Sequence, residues 1–117
     1  MKKSIVSLFV LFVSMFLYSH APTDVIIEYD AVKNIINVDV KHNLQTSPAQ
    51  DPKKHYIKTI VLKVNGKTVK TNNFEMQDAI TEQKTFFDNI TVEKGNKITV
   101  EAVCNLIGAK SGTMVVK

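Results

Sequence analysis

From residue 23 onward, apolar side chains recur at every second position, and that period admits strands and very little else. Ile36, Val38 and Val40 share one face of a segment whose other face carries Asn37, Asp39 and Lys41. Ile98, Val100 and Ala102 repeat the arrangement later in the chain, and β-branched residues are abundant throughout. The pattern predicts strands over 23–30, 34–41, 56–64, 67–71, 84–92, 97–104 and 112–117. Asn65-Gly66 is a two-residue hairpin signal, because a type I′ turn needs positive φ at both central positions. Gly95-Asn96 marks a second turn. Seven short strands at this spacing predict an all-β fold, an immunoglobulin-like antiparallel β-sandwich. The longest loop is expected over 44–54, which holds two prolines; 72–83 lacks a periodic face and is expected to be irregular.

The first residues follow a different rule. Met1-Lys2-Lys3-Ser4 is a short basic head, and Ile5 to Tyr18 is an almost unbroken apolar run. This is the layout of a secretory signal peptide. The run is about 14 residues long, short of the roughly 20 that span a bilayer as a helix. Cleavage is expected after Ser19, because the alternative cut after Ala21 would put Pro22 behind the scissile bond. The organisation expected is a signal peptide over 1–19 and one sandwich domain over 20–117, periplasmic or secreted, with no membrane attachment once the leader is removed. A cysteine-free leader offers no lipoprotein attachment site.

The formal charge is +4, but all fifteen basic residues are lysines interspersed with acids, and Lys2 and Lys3 belong to the leader. Without arginine forks or an aromatic-basic platform, nucleic-acid binding is not expected. A single cysteine, Cys104, rules out an internal disulfide framework. It leaves an inert buried thiol, a reactive group, an intermolecular partner or a metal ligand.

Alternation places several polar residues. His42 continues the inward set 36, 38 and 40 just as its strand ends, and Cys104 does the same after 98, 100 and 102. His55 opens the next strand beyond the 44–54 loop, so the chain returns towards the region where His42 left. The protein's three histidines, His20, His42 and His55, and its one cysteine all lie at strand ends or at the expected new N-terminus. Imidazole and thiolate donors suit iron, zinc or copper rather than calcium or magnesium. Taken singly, each residue has an ordinary reading: a small buried hydrophobe for Cys104, a solvated loop-edge imidazole for each histidine.

Together these residues resemble a known family. His20-Ala21-Pro22, a strand ending at His42, His55-Tyr56-Ile57-Lys58 and Cys104-Asn105-Leu106-Ile107-Gly108 are similar to the iron-binding domain of superoxide reductases and desulfoferrodoxins. The resemblance implies an immunoglobulin-like sandwich holding mononuclear non-haem iron through four equatorial histidines and one axial cysteine, with a sixth position open to superoxide. Carried onto this chain, His20, His42 and His55 become equatorial nitrogens and Cys104 the axial sulfur. Superoxide or a redox protein is the implied partner, and a homo-oligomer is compatible with the fold.

Three departures bear on activity. Ile107 stands where the family's Cys-Asn-x-His-Gly signature has its fourth histidine, and Ser19 stands where many members carry a lysine. The loop between His42 and His55 is also long. Binding therefore follows more directly than superoxide reduction, and no catalytic residue is assigned. If the mature chain starts at His20, its free α-amine, with an ordinary pKa of about 8, is a further nitrogen donor. A second resemblance, carried by His42, His55-Tyr56-Ile57 and the Asn65-Gly66-Lys67 hairpin, is to the Z subunit of the SoxYZ sulfur-oxidation carrier. That subunit is a binding partner rather than an enzyme, and the likeness leaves His20-Ala21-Pro22 and Cys104 unexplained.

Overall fold

The computed structural model describes residues 21–45 and 51–117. The expected signal peptide, His20 and the middle of the 44–54 loop lie outside the described residues. Among the described residues every regular element is a strand: β1 (Asp24–Asp30), β2 (Ile35–Lys41), β3 (Ile57–Val64), β4 (Lys67–Asn73), β5 (Glu82–Phe87), β6 (Lys97–Cys104) and β7 (Ala109–Val115). They form two antiparallel sheets, ordered β1-β2-β5 and β4-β3-β6-β7. This is the expected immunoglobulin-like sandwich, with its fourth strand paired to the third rather than to the fifth.

Alternation predicts the core correctly. Ile36, Val38 and Val40 of β2 face Ile60 and Leu62 of β3 and Ile98, Val100 and Ala102 of β6 across the sheet interface, and all are buried. Between β3 and β4 the chain turns at Asn65 (φ 51°) and Gly66 (φ 84°), the backbone that the Asn-Gly signal calls for. The two sheets are clasped along one side by side chains, with Asn72 Nδ2 donating to Thr85 Oγ1 (2.8 Å) and Lys70 Nζ to the Asp88 carbonyl (2.6 Å).

The largest departures from the expected strands are at β5 and β7, and β4 also runs on past 71 to Asn73. β5 begins at Glu82 and ends at Phe87 instead of running to 92, because Asn89 adopts a positive φ of 53° and turns the chain out of the ladder. β7 begins at Ala109, three residues earlier than the apolar pattern suggests. Its first half, Ala-Lys-Ser-Gly, has little strand propensity, and β6 recruits it by backbone pairing from Val103↔Ala109 to Val100↔Gly112. Gly112 also lets β7 lie close on β1, since a Cβ there would sit 2.6 Å from the Val25 carbonyl oxygen. Of the stretch 72–83 expected to be irregular, residues 74–81 are so and contain no helix, while Asn72 and Asn73 belong to β4 and Glu82 and Gln83 to β5.

Candidate metal centre

β2 stops at Lys41, and its inward face is extended by one more residue, His42, which is fully buried. His42 N donates to the Thr81 carbonyl (3.1 Å) and Leu44 N to the Ile80 carbonyl (2.8 Å), so the segment after β2 stays alongside the approach to β5. On the other sheet Cys104 is the last residue of β6 and is registered against Ile57 at the start of β3. His55 lies two residues before that start and is also fully buried. One end of the sandwich thus collects a residue from each sheet and one from the loop between them.

The convergence is close. The ligand atoms of His42, His55 and Cys104 all lie within 4.8 Å of one another, and the two imidazole rings meet edge to face with centroids 4.6 Å apart. Donors on opposite sides of an ion, at the about 2.1 and 2.3 Å typical of nitrogen and thiolate ligands, stand about 4.4 Å apart. Neighbouring donors stand closer than that, at about 3–3.7 Å, so the three side chains suit one transition metal once they draw in around it. Ile107, in the turn that follows Cys104, is a hydrocarbon at the sequence position where the resemblance asks for a nitrogen donor. His20 is not among the described residues. Its chain neighbour Ala21 packs directly on Gly108: a Cβ added at Gly108 would lie 2.5 Å from that of Ala21.

Two amide side chains hold the cluster together, and alternation gave no notice of either. Asn105 grips both flanks of His55, accepting from Tyr56 N (2.9 Å) on Oδ1 and donating from Nδ2 to the Lys54 carbonyl (3.0 Å). It thereby ties the Cys104 loop to the turn that carries His55. Gln77 is buried; its Oε1 lies 2.7 Å from His42 Nδ1, its Nε2 donates to the carbonyls of His42 and Ala79 (both 2.8 Å), and its backbone N–H donates to the Pro52 carbonyl (3.0 Å). Asn105 is at least part of the quoted Cys-Asn-x-x-Gly run. Gln77 sits in a stretch with no periodic signal, and only the folded chain brings it to His42.

Burial works to raise the Cys104 thiol pKa, but the hydrogen bond with His42, the amides of Ile107 and Leu106, and the charge of His42 together outweigh it and leave the thiol below its ordinary value. The Leu106 amide points at Sγ from 3.5 Å. A thiolate is the form that ligates metals, so the site favours the ligand state of its sulfur. Lys41, beside His42 in sequence, is engaged elsewhere: its Nζ binds Asp39 (2.9 Å) and Glu82 (3.3 Å).

The turn after β6 depends on Gly108, which has φ 77° and whose carbonyl accepts from Cys104 N (3.0 Å). In Gly108→Val the left-handed backbone alone costs about 1–3 kcal/mol, and the new side chain displaces Ala21. Urea denaturation should show that loss, and metal titration a weakened site.

The desulfoferrodoxin family model matches residues 15–111, a span that includes His20, His42, His55 and Cys104. Among solved structures, a superoxide reductase (1Fe-SOR) from Giardia intestinalis is similar with a TM-score of 0.58 and 21% identity, over 84% of this chain and 98% of that one. A hypothetical protein from Pyrococcus horikoshii OT3 gives 0.57 and 23%, over 82% and 89% of the two chains. A superoxide reductase (neelaredoxin) from Ignicoccus hospitalis gives 0.50 and 19%, over 86% and 82%. At these identities the likeness is one of fold. No curated protein matches the chain.

Proposed function

Because the chain belongs to the desulfoferrodoxin family, we propose that it is an exported mononuclear non-haem iron protein of the superoxide-reductase type, with His42, His55 and Cys104 as ligands and His20 as a fourth. The observation that carries the reading is the approach of two buried imidazoles and one thiol to within 4.8 Å at one end of the sandwich. Iron bound by such donors supplies one electron, which with two protons converts superoxide to hydrogen peroxide.

The chain's own residues define the rest. Cys104 is the one thiol of the set, and against the opposing effect of burial its hydrogen bond with His42 and the amides of Ile107 and Leu106 favour the thiolate that a metal binds. Asn105 and Gln77 keep the ligand segments in place before any ion arrives, which limits the reorganisation that binding requires. Ile107 removes one donor relative to the family pattern, so turnover of superoxide is the part of the proposal most open to test. Residue 20 adjoins Ala21, which rests on the Gly108 turn, and this favours a donor from the start of the mature chain. Both its imidazole and, after cleavage behind Ser19, its α-amine are then on offer.

The test is elemental analysis of protein taken from its native extracytoplasmic fraction, with intact mass and N-terminal sequence measured on the same sample. The expected result is about one equivalent of iron per chain, visible thiolate-to-iron absorption when oxidised and a mature start at His20. A start at Pro22 would remove residue 20 from the ligand set. Metal-free, colourless protein that co-purifies with a partner chain would favour the carrier-subunit reading instead.

A further inference from the structure

We propose that Gln77 is a positioning residue that selects the nitrogen His42 offers to the metal, by holding a proton on Nδ1 and turning Nε2 towards the site. The inference rests on the metal-centre reading above and adds a residue that the ligand set does not contain.

The argument starts from the amide of Gln77. A side-chain amide can be turned over without changing its shape, so its orientation must be derived from its partners. Here one end of the amide lies 2.8 Å from two carbonyl oxygens, those of His42 and Ala79. Carbonyls only accept, so that end must be the NH₂ group, and both of its hydrogens are used. The other end is then Oε1, a pure acceptor, and it lies 2.7 Å from His42 Nδ1. A contact that short against an acceptor requires a proton on Nδ1. Nε2 is then the nitrogen left for Cys104, and the proton that those two groups share is the one a metal ion would replace.

The same residue also links the two histidine segments. Its backbone N–H donates to Pro52, and the turn from Asp51 to His55 is closed by the His55 N–H on the Asp51 carbonyl (2.9 Å). Gln77 therefore fixes the ring direction of His42 while anchoring the turn that presents His55. In metal proteins, the group on the far nitrogen of a ligating histidine sets the tautomer and orients the ring, and its removal typically costs about 10–100-fold in metal affinity.

The experiment is nitrogen-15 correlation spectroscopy of the imidazoles in the metal-free protein, together with competition titration by Co²⁺ alone. In the wild type, His42 should show a protonated Nδ1. Gln77→Leu should let His42 change tautomer and should weaken Co²⁺ binding about 10–100-fold. Gln77→Glu keeps an acceptor towards Nδ1, so His42 should keep its Nδ1 proton, while the lost NH₂ bonds to the His42 and Ala79 carbonyls should lower stability to urea. A wild-type His42 with no proton on Nδ1 overturns the proposal without any variant, and so does a Gln77→Leu protein with an unchanged His42 protonation pattern and affinity. If the wild type fails to bind Co²⁺ but has the Nδ1–H tautomer, the metal reading fails while the hydrogen-bond assignment stands.

Discussion

A Cys104→Ser variant should fold normally and lose its metal. Cysteine and serine are nearly the same size, the site lies at a strand end, and the backbone bond from Cys104 N to the Gly108 carbonyl is untouched by the change. The midpoint of urea unfolding for the metal-free protein should therefore move little. The chemistry changes far more. A serine hydroxyl stays protonated at neutral pH, so the N–H groups of Leu106 and Ile107 would surround a neutral oxygen in place of the sulfur whose anionic form they favour. Total binding energies at thiolate-imidazole sites of about 10–16 kcal/mol, shared among four or five donors, put the loss at about 30- to 1000-fold in affinity. The variant should also lack all thiolate-to-metal absorption, since the chain has only one cysteine to supply it. Co²⁺ competition and near-ultraviolet spectra measure the two effects separately. Retained thiolate absorption in the variant would mean that the colour has another source and that the proposed centre is wrong.

The second large effect concerns stability alone. Phe87 ends β5 opposite Ile36, is 2% exposed and belongs to the central cluster, so Phe87→Ala should cost about 3–5 kcal/mol. Small domains have only about 5–15 kcal/mol to lose. Its neighbour Phe86, 57% exposed on the opposite face of the same strand, should change stability by no more than about 0.5 kcal/mol when cut to alanine. Urea denaturation of the pair tests the register of β5 directly: a shift by one residue would exchange the two results.

The contrast between these phenylalanines also shows what the amino-acid sequence conveys. Alternation in β2 and β6 was strong enough to predict both the core and the inward direction of His42 and Cys104, because each residue only extends a pattern already set by three apolar neighbours. The Asn65-Gly66 turn was equally legible, since its local backbone demands those residues. β7 was less so: Ala109 to Gly112 carries no strand preference, and its pairing is supplied by the exposed edge of β6. Gln77 was illegible for a stronger reason. Its role depends on a contact with a histidine 35 residues away, and neither its own stretch nor that of His42 contains a local trace of the bond. Asn105 falls between these cases, quoted within a recognisable run but with its grip on the flanks of His55 visible only after folding.

The ligands at positions 42, 55 and 104 belong to stretches of polypeptide that would drift far apart in the unfolded chain. An ion shared among them would tie off two long segments at once and restrict the denatured ensemble, as a covalent cross-link does in small secreted domains. Stability would then become a property of the surroundings as well as of the molecule, with the melting temperature rising with the logarithm of free ion concentration. Where the ion is scarce, the hydrophobic interior alone would have to keep the chain from proteases.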